Sequence, residues 1–226
     1  MKRHTDIKGL SWRILFYLVG QFLCGCGIGL SVNAGLGVMP GSSLAFACSQ
    51  VWGMDLGLWA FVLFFLMMLV QILLLGKEFR LRDVSQLISA LISSAFISLG
   101  NHITSFWTPK TYPERFAELL LGLVVFALSI AIYIDTDLLI NAPERTTLAI
   151  SKRCKVSLGM AKIIMDCTLV ISAVLVTYIG IGKIVGVREG TFISAFFVGI
   201  IMDAIHKKIA PGIKKLCFGT EPYLSH

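Results

Sequence analysis

The sequence predicts an all-α polytopic membrane protein of six transmembrane helices. We expect these to form two inverted three-helix repeats, each with a short interfacial or re-entrant helix. Composition and internal recurrence predict this class. Of the 226 residues, 56% are hydrophobic and 15% charged, against roughly 45–50% and 25% in soluble domains. Long apolar segments recur along the chain and leave no room for a large catalytic domain beside the membrane.

Six segments are long and apolar enough to be transmembrane helices, since crossing the hydrocarbon takes about 20 apolar residues. Each must be helical because lipid offers no hydrogen-bond partner to an open backbone. The first has no clear small-residue cleavage site, so we expect it to be an uncleaved span. The six segments cover residues 12–34, 57–75, 84–106, 116–136, 158–180 and 190–206.

Basic residues are distributed unevenly between the loops. With a cytoplasmic N-terminus, the inner loops and termini hold fifteen Lys and Arg, and the outer loops hold four. Basic loops stay in the cytoplasm. We therefore expect a multi-pass plasma-membrane protein with both termini cytoplasmic. The net charge of +7 then reflects loops facing the anionic lipid bilayer, and no nucleic acid is an expected partner. The four outer residues are Lys110, Arg115, Lys183 and Arg188.

Three pairs of similar segments occur in the same order in the two halves. GKEFRLRD (76–83) and GKIVGVRE (182–189) share Gly, Lys, Arg and an acid in register. Upstream, Pro40 begins PGSSLA and Pro143 begins PERTTLA, while DLGL (55–58) resembles SLGM (157–160). This pattern predicts repeats over 1–108 and 109–226, with chance similarity as the alternative. Because each repeat has three spans, the second would be inverted relative to the first.

A segment too short to cross the membrane follows the first span of each repeat. Residues 42–53 open with Ser42 and Ser43, and residues 146–156 open with Thr146. Hydroxyl residues after a proline are a typical helix start, and each helix would be about 15–18 Å long. It would either lie along the interface or re-enter the membrane with its N-terminal dipole aimed at a ligand.

These segments also carry a family resemblance. GCGIGLSVNAGLGVMPGSSL (25–44), INAPERTTLAISKRCKVSLG (140–159), KIIMD (162–166) and GVREGTFISAFFVG (186–199) resemble the bacterial YczE/YyaS/YitT family of integral membrane proteins. The likeness runs from about residue 12 to 206. The resemblance implies a bacterial plasma-membrane protein. It implies no activity or substrate, because none is established for the family. Family members often have Gly-Pro-x-Asp where this chain has Ala-Pro-Glu-Arg at 142–145.

Charged residues inside a span are candidate site residues, because they normally face protein or water. Lys162 and Asp166 are spaced i, i+4 on the fifth predicted span, with Asp166 close to the midplane. The pair would either hold the helix in the bundle or bind a substrate or proton. Asp135 and Asp137 point in different directions on a helix, so we expect them to be solvated.

Further candidates lie at helix starts on both sides. Arg188 and Glu189 open the sixth span, where an acid also suits the helix dipole. Ser42, Ser43, Arg145 and Thr146 open the short helices. We take these six residues, with Lys162 and Asp166, as the substrate-binding candidates. Their backbone amides and basic side chains would suit a small polar or anionic solute.

No enzyme motif is present: the sequence has no GxSxG, HExxH or P-loop. The six cysteines have no metal-finger spacing. We therefore expect no enzyme, no catalytic residue, no metal and no cofactor. Small residues in the first span, Gly20, Cys24, Gly25 and Gly29, would let another backbone approach closely. The expected partner there is the inverted counterpart or a second copy in a homodimer, with a cavity wall as the alternative.

Three functions fit these observations. The first is a small-solute transporter with a midplane site between inverted repeats. The second is an accessory or scaffold membrane protein that translocates nothing. The third is the substrate-binding membrane subunit of a vitamin uptake complex, which has similar size but is not built as an inverted repeat. Substrate, direction, coupling ion and oligomeric state do not follow from the sequence.

Overall fold

The computed structural model describes residues 7–76, 84–139 and 141–218. Every regular element in these ranges is helical, so the predicted all-α class is confirmed. A short 3₁₀ turn, Ile134–Thr136, follows the fifth helix. The helices are α1 (Ile7–Ala34), α2 (Pro40–Trp52), α3 (Leu56–Leu75), α4 (Gln86–Thr104), α5 (Tyr112–Tyr133), α6 (Ala142–Cys154), α7 (Leu158–Ile181) and α8 (Glu189–Phe218).

Five of the described helices are long and apolar enough to cross a membrane: α1, α3, α4, α5 and α7. They correspond to the first five predicted spans. The sixth predicted span, residues 190–206, lies within α8, a 30-residue helix that is not among these five. The chain is thus a multi-pass membrane protein by the length and composition of its helices.

The two short helices begin and end for local reasons. Pro40 and Pro143 lie in the first turns of α2 and α6, where the missing proline N–H costs no hydrogen bond. α2 ends at Gly53 and α6 at Lys155, both in the left-handed conformation, with φ of 69° and 55°. A left-handed residue closes a helix by turning its N–H back to the last carbonyls. Both predicted short helices are therefore present, but they begin at Pro40 and Ala142, before the predicted starts at Ser42 and Thr146.

α1 packs tightly against both α4 and α5. A Cβ atom added to Gly25 would lie 1.9 Å from the Phe96 carbonyl oxygen of α4. Added Cβ atoms on Gly20 and Gly27 would meet α5 at 2.7 and 2.8 Å. The small residues of α1 are therefore used for packing within one chain. A homodimer through the first helix would have to use its larger side chains.

The short helix of each predicted repeat packs on the other repeat. α2 packs against α7, and α6 packs against α3. In each half the helices follow along the chain in the order long, short, long, long. α1 packs against α4 in the first half, and α5 packs against α8 in the second. The packing of the halves is not identical: α3 packs against α4, whereas α7 packs on α2 and α6 rather than on α8. The predicted boundary at residues 108 and 109 lies in the loop between α4 and α5.

Part of the repeat prediction falls outside the described residues. Of the first copy, GKEFRLRD, residues 77–83 are not described. The same holds for residues 1–6, residue 140 and residues 219–226, which include some of the basic residues used for orientation.

Candidate functional site

The N-termini of the two short helices lie in the same buried core. Met39, which precedes α2, is 3% exposed, and Ala142, the first residue of α6, is 1% exposed. Both belong to one hydrophobic cluster with Met165 and Leu169 of α7. At the other ends, Trp52 is exposed and Cys154 is exposed. Each short helix thus runs from the centre of the protein to its surface, which favours the half-helix interpretation over a helix lying flat on the surface.

A network of buried polar side chains surrounds the start of α6. Asn141, which precedes the helix, accepts a hydrogen bond at Oδ1 from Ser89 Oγ of α4 at 2.5 Å. It also accepts one from Gln21 Nε2 of α1 at 3.0 Å. Ser93 Oγ of α4 donates its proton to Gln21 Oε1 of α1 at 2.8 Å and lies 3.4 Å from Asn141 Oδ1. Because Ser89 uses its proton on Asn141, Tyr17 Oη donates to Ser89 Oγ at 2.6 Å. The network therefore joins α1 and α4 to α6 inside the protein.

Local helix geometry explains how these side chains converge. Tyr17 and Gln21 are four residues apart on α1, and Ser89 and Ser93 are four apart on α4. Residues at this spacing share one helix face. Gln86 is on the same face of α4, is 1% exposed, and has no hydrogen-bond partner for either polar side-chain atom. A buried amide normally finds partners, so Gln86 marks unused hydrogen-bonding capacity.

A second group of contacts holds the first turn of α6. Gln71 Nε2 of α3 donates to Thr146 Oγ1 at 2.9 Å and to the Ala142 carbonyl oxygen at 3.3 Å. Tyr133 Oη of α5 donates to Glu144 Oε1 at 2.8 Å. The other carboxylate oxygen, Oε2, is buried and has no hydrogen-bond partner. Thr146, a predicted candidate, therefore lies among these contacts, together with Glu144, which the sequence did not single out.

Burial controls the protonation of Glu144. Loss of water around the carboxyl raises its pKa above the ordinary value. The hydrogen bond from Tyr133 and the positive charge of Lys162 offset part of this effect. The negative charge of Asp166 acts in the opposite direction and raises the pKa. The predicted pair on α7 is thus electrostatically coupled to the start of α6.

The predicted ion pair forms, but it lies at the edge of the bundle. Lys162 Nζ is 2.7 Å from Asp166 Oδ1, and the two side chains are 51% and 16% exposed. Their i, i+4 spacing on α7 produces this contact directly. Arg145, one residue after Glu144, is partly buried. Arg145 thus belongs to α6, and Lys162 and Asp166 belong to α7, which packs against α6.

The other predicted residues lie elsewhere. Ser42 and Ser43 are buried at the start of α2, and their hydroxyls donate to the carbonyl oxygens of Met39 and Pro40 at 3.1 and 2.8 Å. Their protons are therefore used within the helix itself. Among the contacts of the described residues, the start of α2 has no network of polar side chains comparable with that around the start of α6.

Arg188 and Glu189 belong to the contact between the α1–α2 and α7–α8 loops. Arg188 Nη2 is 3.4 Å from Glu189 Oε1, with the side chains 51% and 40% exposed. Arg188 Nη1 also donates to the Gly35 carbonyl oxygen at 3.2 Å. Two backbone hydrogen bonds close the same contact, from Val38 N to Gly186 O and from Gly190 N to Leu36 O. The structure therefore does not bring Arg188 and Glu189 together with Lys162 and Asp166.

The expectation that Asp135 is solvated was wrong. Its side chain is 10% exposed and lies 2.9 Å from His206 Nε2 and 3.3 Å from Lys214 Nζ of α8. The error arose because α8 runs past the end of α5, which sequence spacing does not show. This contact ties α8 to the 3₁₀ turn that follows α5.

A cavity of about 240 Å³ opens at the other end of α2. It is bordered by Val32 of α1, Ser49 of α2, Asp55 before α3 and Asn101 of α4. None of the predicted site residues lines it. Its position separates it from the polar network around the start of α6.

These features define the class of the protein: an all-helical, multi-pass membrane protein with two half-helices that start in its core. The chain belongs to the family of unknown function DUF6198, whose model matches residues 11–207. It is 23% identical over 195 residues to "Uncharacterized protein YyaS" of Bacillus subtilis (strain 168), with 84% of this chain and 94% of the relative covered. The resemblance to a YyaS-type family is thereby confirmed. No solved structure matches the chain.

Proposed function

We propose that this protein transports a small polar solute across the bacterial plasma membrane by alternating access between two inverted repeats. The observation that carries the proposal is the burial of both short-helix N-termini in one core cluster. Half-helices that start near the membrane midplane form the substrate sites of inverted-repeat transporters. The reciprocal packing of α2 on α7 and of α6 on α3 supports the same architecture, with α8 as the sixth span.

The solute site in this proposal is the region around the start of α6. Gln86 and the Glu144 Oε2 atom are buried there without hydrogen-bond partners. A polar solute would supply such partners. A simple anion fits the N-terminus of α6 less well, because the Glu144 carboxyl already lies at this positive end of the helix dipole. We therefore favour an uncharged or dipolar solute.

The orientation in this proposal has both termini in the cytoplasm. The excess of basic residues in the inner loops supports it. Impermeant thiol labelling from outside intact cells should reach Lys110→Cys, beside the start of α5, and should miss Lys152→Cys, near the end of α6. Reaction of Lys152→Cys from outside would contradict this orientation.

An accessory or scaffold role is the second candidate, and one observation favours it. The hydrogen bonds among Tyr17, Ser89, Asn141 and Gln21 are satisfied within the chain. Such a network can lock helices together without binding anything. A static network and a transport site differ in whether the core opens to water.

Cysteine accessibility distinguishes the two functions without knowledge of the solute. In a background with serine at the four cysteines that are not buried, Ser43→Cys and Thr146→Cys place thiols in the core. Ala127→Cys, at a position of α5 with 0% exposure, is the matched control. We expect an impermeant maleimide to label the two core thiols from both faces of sealed vesicles, well above the control. Labelling no faster than Ala127→Cys would favour the scaffold.

A further inference from the structure

A buried carboxylate occurs at the far end of the bundle from the α6 network, where α1, α4 and α5 meet. Glu118 of α5 is 5% exposed. Its Oε1 atom accepts a hydrogen bond from Asn33 Nδ2 at 2.7 Å, and its Oε2 atom is buried without a partner. No basic side chain forms an ion pair with Glu118 in the described ranges. A buried carboxylate without a counter-charge is costly, so it binds either a proton or a cation.

The surroundings of Glu118 are rich in oxygen. Asn33 Nδ2 has two protons, yet it faces three acceptors: Glu118 Oε1, the Thr104 carbonyl oxygen at 3.3 Å and the Trp107 carbonyl oxygen. The two carbonyl groups lie at and just after the C-terminus of α4, where the helix dipole is negative. The amide nitrogen thus lies within hydrogen-bonding distance of three oxygen atoms, the type of ligand that hard cations bind.

We propose that Glu118, Thr104 and Trp107 form a binding site for a monovalent alkali cation, which displaces the Asn33 amide from its centre. Carboxylate and backbone carbonyl oxygens are the ligands of hard cations. One carboxylate neutralises a single positive charge, whereas divalent sites usually combine several. Carbonyls at helix ends coordinate cations in membrane transporters. The proposal concerns binding and is independent of solute transport.

Binding is measurable as stabilisation of the purified full-length protein in detergent. NaCl or KCl replaces choline chloride at constant ionic strength, and Tm is recorded against cation concentration. A ligand that binds only the folded state raises Tm progressively with the logarithm of its concentration above Kd, by about 5–10 °C at 100 times Kd. A response to Na⁺ only, to K⁺ only, or to both identifies the preferred cation and supports the site.

Variants locate the effect at Glu118. Glu118→Gln keeps the shape of the side chain but removes its charge, so the cation response should disappear. Glu114→Gln is the matched control, because Glu114 is one turn earlier on α5 and only caps the helix; its response should persist. If Glu118→Gln does not fold, Glu118→Asp is compared with the wild type by equilibrium binding of ²²Na⁺ and ⁸⁶Rb⁺.

Three results would overturn the proposal. The first is an equal Tm in sodium, potassium and choline chloride. The second is a cation response that survives in Glu118→Gln. The third is no radioactive cation bound to the wild type, or equal binding by Glu118→Asp. Equal Tm values in all three salts, together with a Glu118→Gln variant as stable as the wild type, would show that Glu118 holds a proton.

Discussion

Replacing Asn141 by leucine tests whether the polar network around the start of α6 stabilises the protein. The change removes two hydrogen bonds to Asn141 Oδ1, from Ser89 Oγ at 2.5 Å and from Gln21 Nε2 at 3.0 Å. It leaves the Ser89 hydroxyl and the Gln21 amide without their acceptor in a buried site. Hydrogen bonds inside membranes contribute about 0.6 kcal/mol on average and up to about 1.7, and an unpaired buried donor costs about 1–3 kcal/mol. We expect a loss of about 2–4 kcal/mol in the free energy of unfolding.

The assay is reversible unfolding by dodecyl sulfate in mixed micelles, followed by circular dichroism. Asn101→Leu is the matched control, because Asn101 is on α4 and its side chain makes no hydrogen bond in the described structure; it should change stability by less than about 0.5 kcal/mol. The double variant Asn141→Leu with Ser89→Ala should be less destabilised than the sum of its parts, by about 1 kcal/mol. Asn141→Leu within about 0.5 kcal/mol of the wild type would refute the reasoning, as would full additivity.

Two further predictions concern packing and pH. Gly25→Ala places a Cβ 1.9 Å from a carbonyl oxygen of α4 and should lower the free energy of unfolding by about 1–3 kcal/mol. Gly199→Ala, with no atom within 4 Å of its Cβ, should not destabilise the protein. Equal effects of the two changes in the same dodecyl sulfate titration would contradict this. Because burial raises the pKa of Glu144, the folded state holds its proton more tightly than the unfolded state. Stability should therefore fall as pH rises from about 4 towards the raised pKa. Glu144→Gln should weaken this dependence, and a pH profile equal to that of the wild type would count against the reasoning.

Local properties of the sequence predicted the helices. The first five predicted spans correspond to helices of the right length and apolarity, because bilayer thickness and backbone hydrogen bonding act on each segment alone. Pro40 and Pro143 marked the starts of α2 and α6, because a proline in the first turn of a helix costs no hydrogen bond. The contact between Lys162 and Asp166 followed from helix spacing within α7.

Contacts between distant residues could not be predicted in this way. Gln21 and Asn141 are 120 positions apart, and Asn33 and Glu118 are 85 apart. A polar residue in an apolar helix shows that some partner is needed, but many partners would satisfy that need. The pairs Tyr17 with Gln21 and Ser89 with Ser93, each four residues apart, are a local signal that one face of each helix is polar.

The sequence by itself thus determined that this is a helical membrane protein with two proline-initiated short helices, because burial in lipid and helix initiation depend on neighbouring residues. The tertiary structure decided which polar groups meet. It buried Asn141 and the Oε2 atom of Glu144, and it placed Asp135 against α8 and Glu118 on Asn33 beside the end of α4. The physical reason is that hydrogen bonds and charge pairs inside a bundle form between helices, and helix packing sets their partners.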